Sequence, residues 1–94
     1  MSDIVLYTKK NCPFSYNALN LCRSLRIPYK EYCIDGSHPD YLKIKQQLFN
    51  KFKHNSFPIV IIGSNVLGGF SELNNLYQTN QLYNLCKKHN IKIR

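Results

Sequence analysis

At 94 residues, the chain has material for one domain spanning 1–94 with one modest core, and too little for a second. Its net charge is +8, but lysines such as Lys30, Lys43, Lys51, Lys87 and Lys92 are scattered, form no long run of like charge and accompany no nucleic-acid-binding motif. No apolar stretch nears the roughly 20 residues needed to cross a bilayer, and no charged-then-apolar leader opens the chain, so no membrane, no nucleic acid and a cytoplasmic setting are expected.

Strand and helix signals alternate. Ile4-Val5-Leu6-Tyr7 reads as a short strand, followed by the basic turn Thr8-Lys9-Lys10-Asn11. From Phe14 to Leu25, Ala18, Leu19, Leu21, Cys22 and Leu25 share one helical face, and Pro28 ends that run. Tyr29 to Ile34 alternates as a strand, Asp35-Gly36 turns the chain, and Ser37-His38-Pro39-Asp40 opens a helix to about Phe52 with Tyr41, Ile44, Leu48 and Phe52 as its stripe. Pro58 to Ile62 is wholly apolar, as expected of a central strand buried on both faces. Gly63-Ser64-Asn65 is a hairpin turn into the strand Asn65–Gly68. A helix from Ser71 with Leu73, Leu76 and Tyr77 inward breaks near Thr79-Asn80, and a last helix, Gln81 to His89, carries Leu82, Leu85 and Cys86 inward. The order β-α-β-α-β-β-α with a helical C-terminus predicts an α/β fold, a mixed four-stranded sheet with helices on both faces.

The chemistry concentrates at Cys12. Proline suits the first turn of a helix, since it has no N–H to lose there. Pro13 therefore makes Cys12 the expected N-cap, with the free N–H groups of Phe14 and Ser15 pointing back at its sulfur. The positive end of the helix dipole, with Lys9 and Lys10 nearby, favours thiolate, the nucleophile of disulfide exchange. The other cysteines, Cys22, Cys33 and Cys86, fall at apolar helix or strand positions and are read as core filling. The chain contains no C-x-x-C pair, and His38, His54 and His89 lie at no metal-ligand spacing, so free thiols and no metal site are expected.

Three separated motifs make the chain resemble the glutaredoxins over essentially its whole length. Lys9-Lys10-Asn11-Cys12-Pro13-Phe14-Ser15 resembles that family's K-x-x-C-P-[YF]-[CS] active site. Ser56-Phe57-Pro58 resembles its T-V-P or T-F-P, in which the proline is cis. Gly68-Gly69-Phe70-Ser71-Glu72-Leu73 resembles G-G-x-[DST]-[DE]-L, which holds the γ-glutamyl end of glutathione. The resemblance implies a thioredoxin fold and glutathione as co-substrate, with a thiol-disulfide oxidoreductase activity on glutathionylated proteins or small disulfides. Cys12 and Ser15 are its catalytic residues; Lys9, Phe14, Lys45, Phe57, Pro58, Gly69, Phe70, Ser71 and Glu72 are its glutathione contacts.

Physical sense accompanies each assignment. Glutathione is extended, with a carboxylate at each end. Lys9 and Lys45 suit one end, the backbone of Phe57 before Pro58 suits antiparallel pairing in the middle, and the N–H groups of Phe70 and Ser71 suit the other end. Gly69 allows close backbone approach, and Phe14 is a plausible groove rim. Ser15 stands where the family commonly has a second cysteine, so a monothiol route is expected, with Ser15 donating a hydrogen bond to the thiolate. The alternative the resemblance carries is a [2Fe-2S] carrier, in which two copies share a cluster through Cys12 and two glutathiones; otherwise a monomer is expected.

Overall fold

Two sheet faces follow from alternation along the first strand. In the computed structural model, which describes residues 3–93, β1 (Ile4–Lys9) buries Ile4, Leu6 and Thr8 on one face and leaves Val5, Tyr7 and Lys9 half-buried on the other. The elements that follow are α1 (Pro13–Ser24), β2 (Tyr29–Ile34), α2 (Tyr41–Phe52), β3 (Ile59–Ile62), β4 (Asn65–Gly68), α3 (Phe70–Gln78) and α4 (Leu82–Lys88). The sheet order is β2-β1-β3-β4, with β1 parallel to β2 and antiparallel to β3, and β3 antiparallel to β4. The apolar run after Pro58 therefore lies inside the sheet, and all four residues of β3 are buried.

The main core lies on one side of that sheet. Ile4, Leu6, Val60 and Ile62 pack there with Ala18, Leu19 and Cys22 of α1, Leu73 of α3, and Leu82 and Cys86 of α4. On the other side α2 lies over an aromatic layer: Tyr7 has Tyr32 and Phe52 each 5.2 Å from its ring centroid, and Phe49 stands 5.2 Å from Phe57. No residue of α2 is fully buried, so the stripe Tyr41, Ile44, Leu48 and Phe52 is a half-covered contact and not a second core.

Each helix ends in the same way. Arg26, Lys53, Asn80 and Asn90 have φ between 55° and 61°, in the left-handed region, just beyond α1, α2, α3 and α4. The next residue then donates its N–H five residues back: Ile27 to Cys22, His54 to Phe49, Gln81 to Leu76 and Ile91 to Cys86, at 2.8–3.3 Å. These Schellman closures satisfy the last carbonyls without glycine, and two of them plug the core with Ile27 and Ile91.

Two expectations are corrected. Cys33 is exposed, because β2 is an edge strand of which neither helix layer covers the outer residues. Tyr77, expected inward, is 36% exposed on the outer flank of α3. Cys22 and Cys86 are buried as expected. Burial pushes the Cys22 thiol up to about 12, with the neighbouring Cys86 adding to it.

That shift has a stability consequence. Below the ordinary thiol value of 9.0 both folded and unfolded chains hold the proton; between 9.0 and about 12 only the unfolded chain releases it, so the Cys22 contribution is lost as pH rises through that window. We expect the urea midpoint to fall more steeply across this range in the wild type than in Cys22→Ala, even though the variant starts less stable. Parallel slopes would contradict the assignment.

Candidate functional site

Cys12 stands where a turn from β1 meets the start of α1. Asn11, at φ 64°, reverses the chain, and the Cys12 N–H donates to the Lys9 carbonyl at 3.2 Å. Cys12 itself has extended backbone angles and serves as N-cap, with Pro13 in the first turn. The first intrahelical bond runs from the Tyr16 N–H to the Cys12 carbonyl, 3.0 Å, which leaves the N–H groups of Phe14 and Ser15 unused by the helix. No acidic residue in the first turn competes for them.

Ser15 is locked in place. It is 2% exposed, and its Oγ accepts the Lys9 backbone N–H at 3.1 Å, which leaves its own hydrogen free to point at sulfur. Burial would raise the Cys12 pKa, but the Ser15 hydroxyl, the N–H groups of Ser15 and Phe14, and the Lys9 charge together outweigh it and hold the thiol below its ordinary value. In the neutral form the S–H faces the Phe57 carbonyl oxygen at 3.9 Å; when the proton leaves, the donors around Ser15 take over. Lys10, expected to help, turns instead to Asp35, with Nζ 3.9 Å from its carboxylate.

Half-buried Cys12 lies between two recesses. One is a groove of about 300 Å³ lined by Phe14, Ser56, Phe57, Pro58, Gly69, Phe70, Ser71 and Glu72. The other, about 450 Å³, opens on the α1 side and is lined by Cys12 itself with Thr8, Lys9, Lys10, Tyr16, Glu31 and Cys33 among others. Thr8 donates to Glu31 there at 2.6 Å.

The groove gathers the second and third sequence motifs. The Phe57–Pro58 peptide bond is cis, as the resemblance implied, and the Phe57 carbonyl faces Cys12. Gly69 is the N-cap of α3, and its N–H is taken by the Glu72 carboxylate at 2.6 Å. The first intrahelical bond, Leu73 N–H to Gly69 carbonyl at 3.2 Å, leaves the N–H groups of Phe70 and Ser71 open to the groove. Ser71 is thus inside the helix and not its cap, with an exposed side chain. Gly68, at φ 122°, needs to be glycine: a Cβ there would also strike the Glu72 side chain. Phe14, 59% exposed, forms the rim between Cys12 and the groove.

Lys9 and Lys45 each approach the same aromatic ring. Their Nζ atoms lie 5.4 and 5.5 Å from the centroid of one ring, Tyr41. Among the described residues neither has a carboxylate within ion-pair distance. In sequence Tyr41 reads as part of the α2 stripe, and His54 stands at no metal-ligand spacing. His54 is half-buried, with Nδ1 2.9 Å from the Ser56 carbonyl oxygen and its ring edge against Gly69. The clue for His54 was its place just before Ser56-Phe57-Pro58; nothing in sequence marks Tyr41 beyond its position four residues before Lys45. Among the described residues no cluster of three or more His, Cys, Asp or Glu side chains is gathered as a metal site, and no helix is long and apolar enough to cross a membrane.

Comparison with known proteins agrees with this geometry. The sequence profile of the glutaredoxin family matches residues 4–67. A probable glutaredoxin of Synechocystis is 30% identical over 77% of this chain and 78% of that protein, and glutaredoxin 3 of Escherichia coli is 25% identical over 78% and 83%. In fold, the chain superposes with a TM-score of 0.82 on buckwheat glutaredoxin in complex with glutathione, at 18% identity over 95% of this chain and 80% of that one. The holo form of glutaredoxin C1 from Populus tremula × tremuloides gives 0.83 at 20% identity over 99% and 85%.

The rate of Cys12 alkylation against pH should show a midpoint below 9.0. Ser15→Ala should move it up, and by more than Lys9→Ala, since a hydrogen bond to the thiolate outweighs a charge at the surface. An unmoved midpoint in Ser15→Ala would remove the serine from the argument.

Proposed function

Because the chain belongs to the glutaredoxin family, whose members are generally glutathione-dependent thiol oxidoreductases, we propose that it reduces glutathione mixed disulfides by a monothiol route with Cys12 as nucleophile. The observation that carries this reading is the placement of one thiol, held below its ordinary pKa at a helix start, close to a groove with backbone donors at the start of α3, with two lysines at the Tyr41 ring. Extended glutathione fits that polarity. Its glycyl carboxylate goes to Lys9 and Lys45, its cysteinyl backbone pairs with Phe57 next to Pro58, and its γ-glutamyl carboxylate meets the N–H groups of Phe70 and Ser71. Gly69 lets the backbone approach, Phe14 covers the sulfur from the rim, and Glu72 closes the Gly69 N–H so that the helix start keeps its shape.

The chemistry is two exchanges. The Cys12 thiolate attacks the glutathionyl sulfur of the substrate; a Cys12–glutathione disulfide forms, the old S–S bond breaks, and the substrate leaves as a thiolate that takes a proton. The thiolate of a second glutathione then attacks the glutathionyl sulfur, Cys12 departs as thiolate, and oxidised glutathione leaves. Ser15 donates to the Cys12 thiolate in the resting and leaving states and cannot form a disulfide with it, which is why a second glutathione closes the cycle. Substrates are glutathionylated proteins or small disulfides, the protein works as a monomer in the cytoplasm, and the positive surface speeds encounter with anionic thiols. Cluster carriage by two copies through Cys12 has no separate observation in its favour.

Turnover of a glutathionylated peptide with glutathione tests the reading. Cys12→Ser should abolish it, whereas Cys22→Ala, Cys33→Ser and Cys86→Ala combined should keep most of it. Turnover retained in Cys12→Ser would overturn the assignment.

A further inference from the structure

Two ammonium groups lie beside one aromatic ring, and neither has a carboxylate partner among the described residues. Lys9 ends β1, and Lys45 lies one turn into α2, so they come from different elements of a half-covered layer. Free in water, two long lysine side chains would separate, since like charges repel and each has many rotamers to gain. Here both are drawn to Tyr41: the ring's negative face attracts cations within about 6 Å, and the observed distances are 5.4 and 5.5 Å. Tyr41 and Lys45 are four residues apart on α2 and therefore share a face. The Lys9 stem runs past the turn at Gly36, where an added Cβ would lie 3.4 Å from the lysine Cε. The nearest turn's acid, Asp35, is taken by Lys10 and by the Ser37 N–H and hydroxyl, so it does not neutralise the pair.

We propose that the Tyr41 ring is a positioning residue that holds Lys9 and Lys45 together as one carboxylate seat, and so makes the site selective for disulfides whose thiol half ends in a carboxylate. This rests on the glutathione reading above and adds its determinant of selectivity. The ring offsets the repulsion between the lysines before any anion arrives, so the seat is assembled in the free protein and the carboxylate does not have to gather it. The same ring keeps the Lys9 charge at the end of β1, next to the turn that carries Cys12.

The test reads the rate at which Cys12 takes up a glutathionyl group, by mass, from oxidised glutathione and from its diester blocked at both glycyl carboxylates. The wild type should react faster with the free acid. Tyr41→Phe keeps the ring and should keep that ratio. Tyr41→Leu leaves the net charge unchanged and should lower the ratio roughly two- to five-fold, the range expected for one exposed cation–π contact. A merely structural role for Tyr41 would slow both reagents alike and leave the ratio untouched, which would overturn the proposal. A wild type that forms the Cys12 adduct without distinguishing the two reagents would remove the seat while sparing Cys12 as nucleophile. A wild type that forms no adduct at Cys12 would overturn the proposed function, and the seat with it.

Discussion

A single sulfur at the start of a helix organises this molecule. Cys12 can hold negative charge only because its surroundings offer donors that the helix leaves unused, and each depends on a specific backbone event: Pro13 starting α1, Asn11 turning the chain, and Ser15 anchored to the Lys9 N–H. Helix-terminal charge effects at a surface amount to about 0.3–1 kcal/mol, and a hydrogen bond to a charged group to about 1.5–3. The hydroxyl of Ser15 is therefore the heavier weight against the cost of burial, and the lysine the lighter one, in agreement with the order of the influences on the Cys12 thiol. The serine that removes the second thiol thus also strengthens the first.

The fold serves this arrangement by dividing its labour between the two faces of the sheet. The side packed by α1, α3 and α4 holds the dry core and fixes the helix starts that carry Cys12 and Ser71. The other side, under α2, is aromatic and half-covered, and it supplies Phe57, Tyr41 and the two lysines. Rigidity thus underlies the sulfur and the α3 terminus, while the two lysines lie against the Tyr41 ring on the half-covered side. Tight placement matters most where bonds form, and an attraction between charges acts over longer distances and tolerates a looser support.

Much of this was legible from residues alone, for identifiable reasons. The strand–helix order followed from clean periodicity and from Pro28 and Pro58; the buried central strand followed from an unbroken apolar run. The N-cap position of Cys12 was legible because proline fixes where a helix starts. Cys33 was misread because alternation assigns a residue to a face but does not say whether that face is covered, and β2 lies at the sheet edge. The helix ends were only partly visible: Asn80 and Asn90 are residues that tolerate left-handed angles, whereas Arg26 and Lys53 give no such signal. Lys10 and Tyr41 were unreadable in a different way, since a side chain's choice between neighbours depends on distances that only the folded chain sets.

The structure of the Cys12–glutathione mixed disulfide tests the account most directly, because Cys12 lines the cavity on the α1 side while the groove of Phe57, Phe70 and Ser71 starts at its neighbour Phe14. The account predicts glutathione along Phe57, with its γ-glutamyl carboxylate on the N–H groups of Phe70 and Ser71 and its glycyl carboxylate at Lys9 and Lys45. Glutathione found in the opposite cavity, against Glu31, Tyr16 and Cys33, would contradict it.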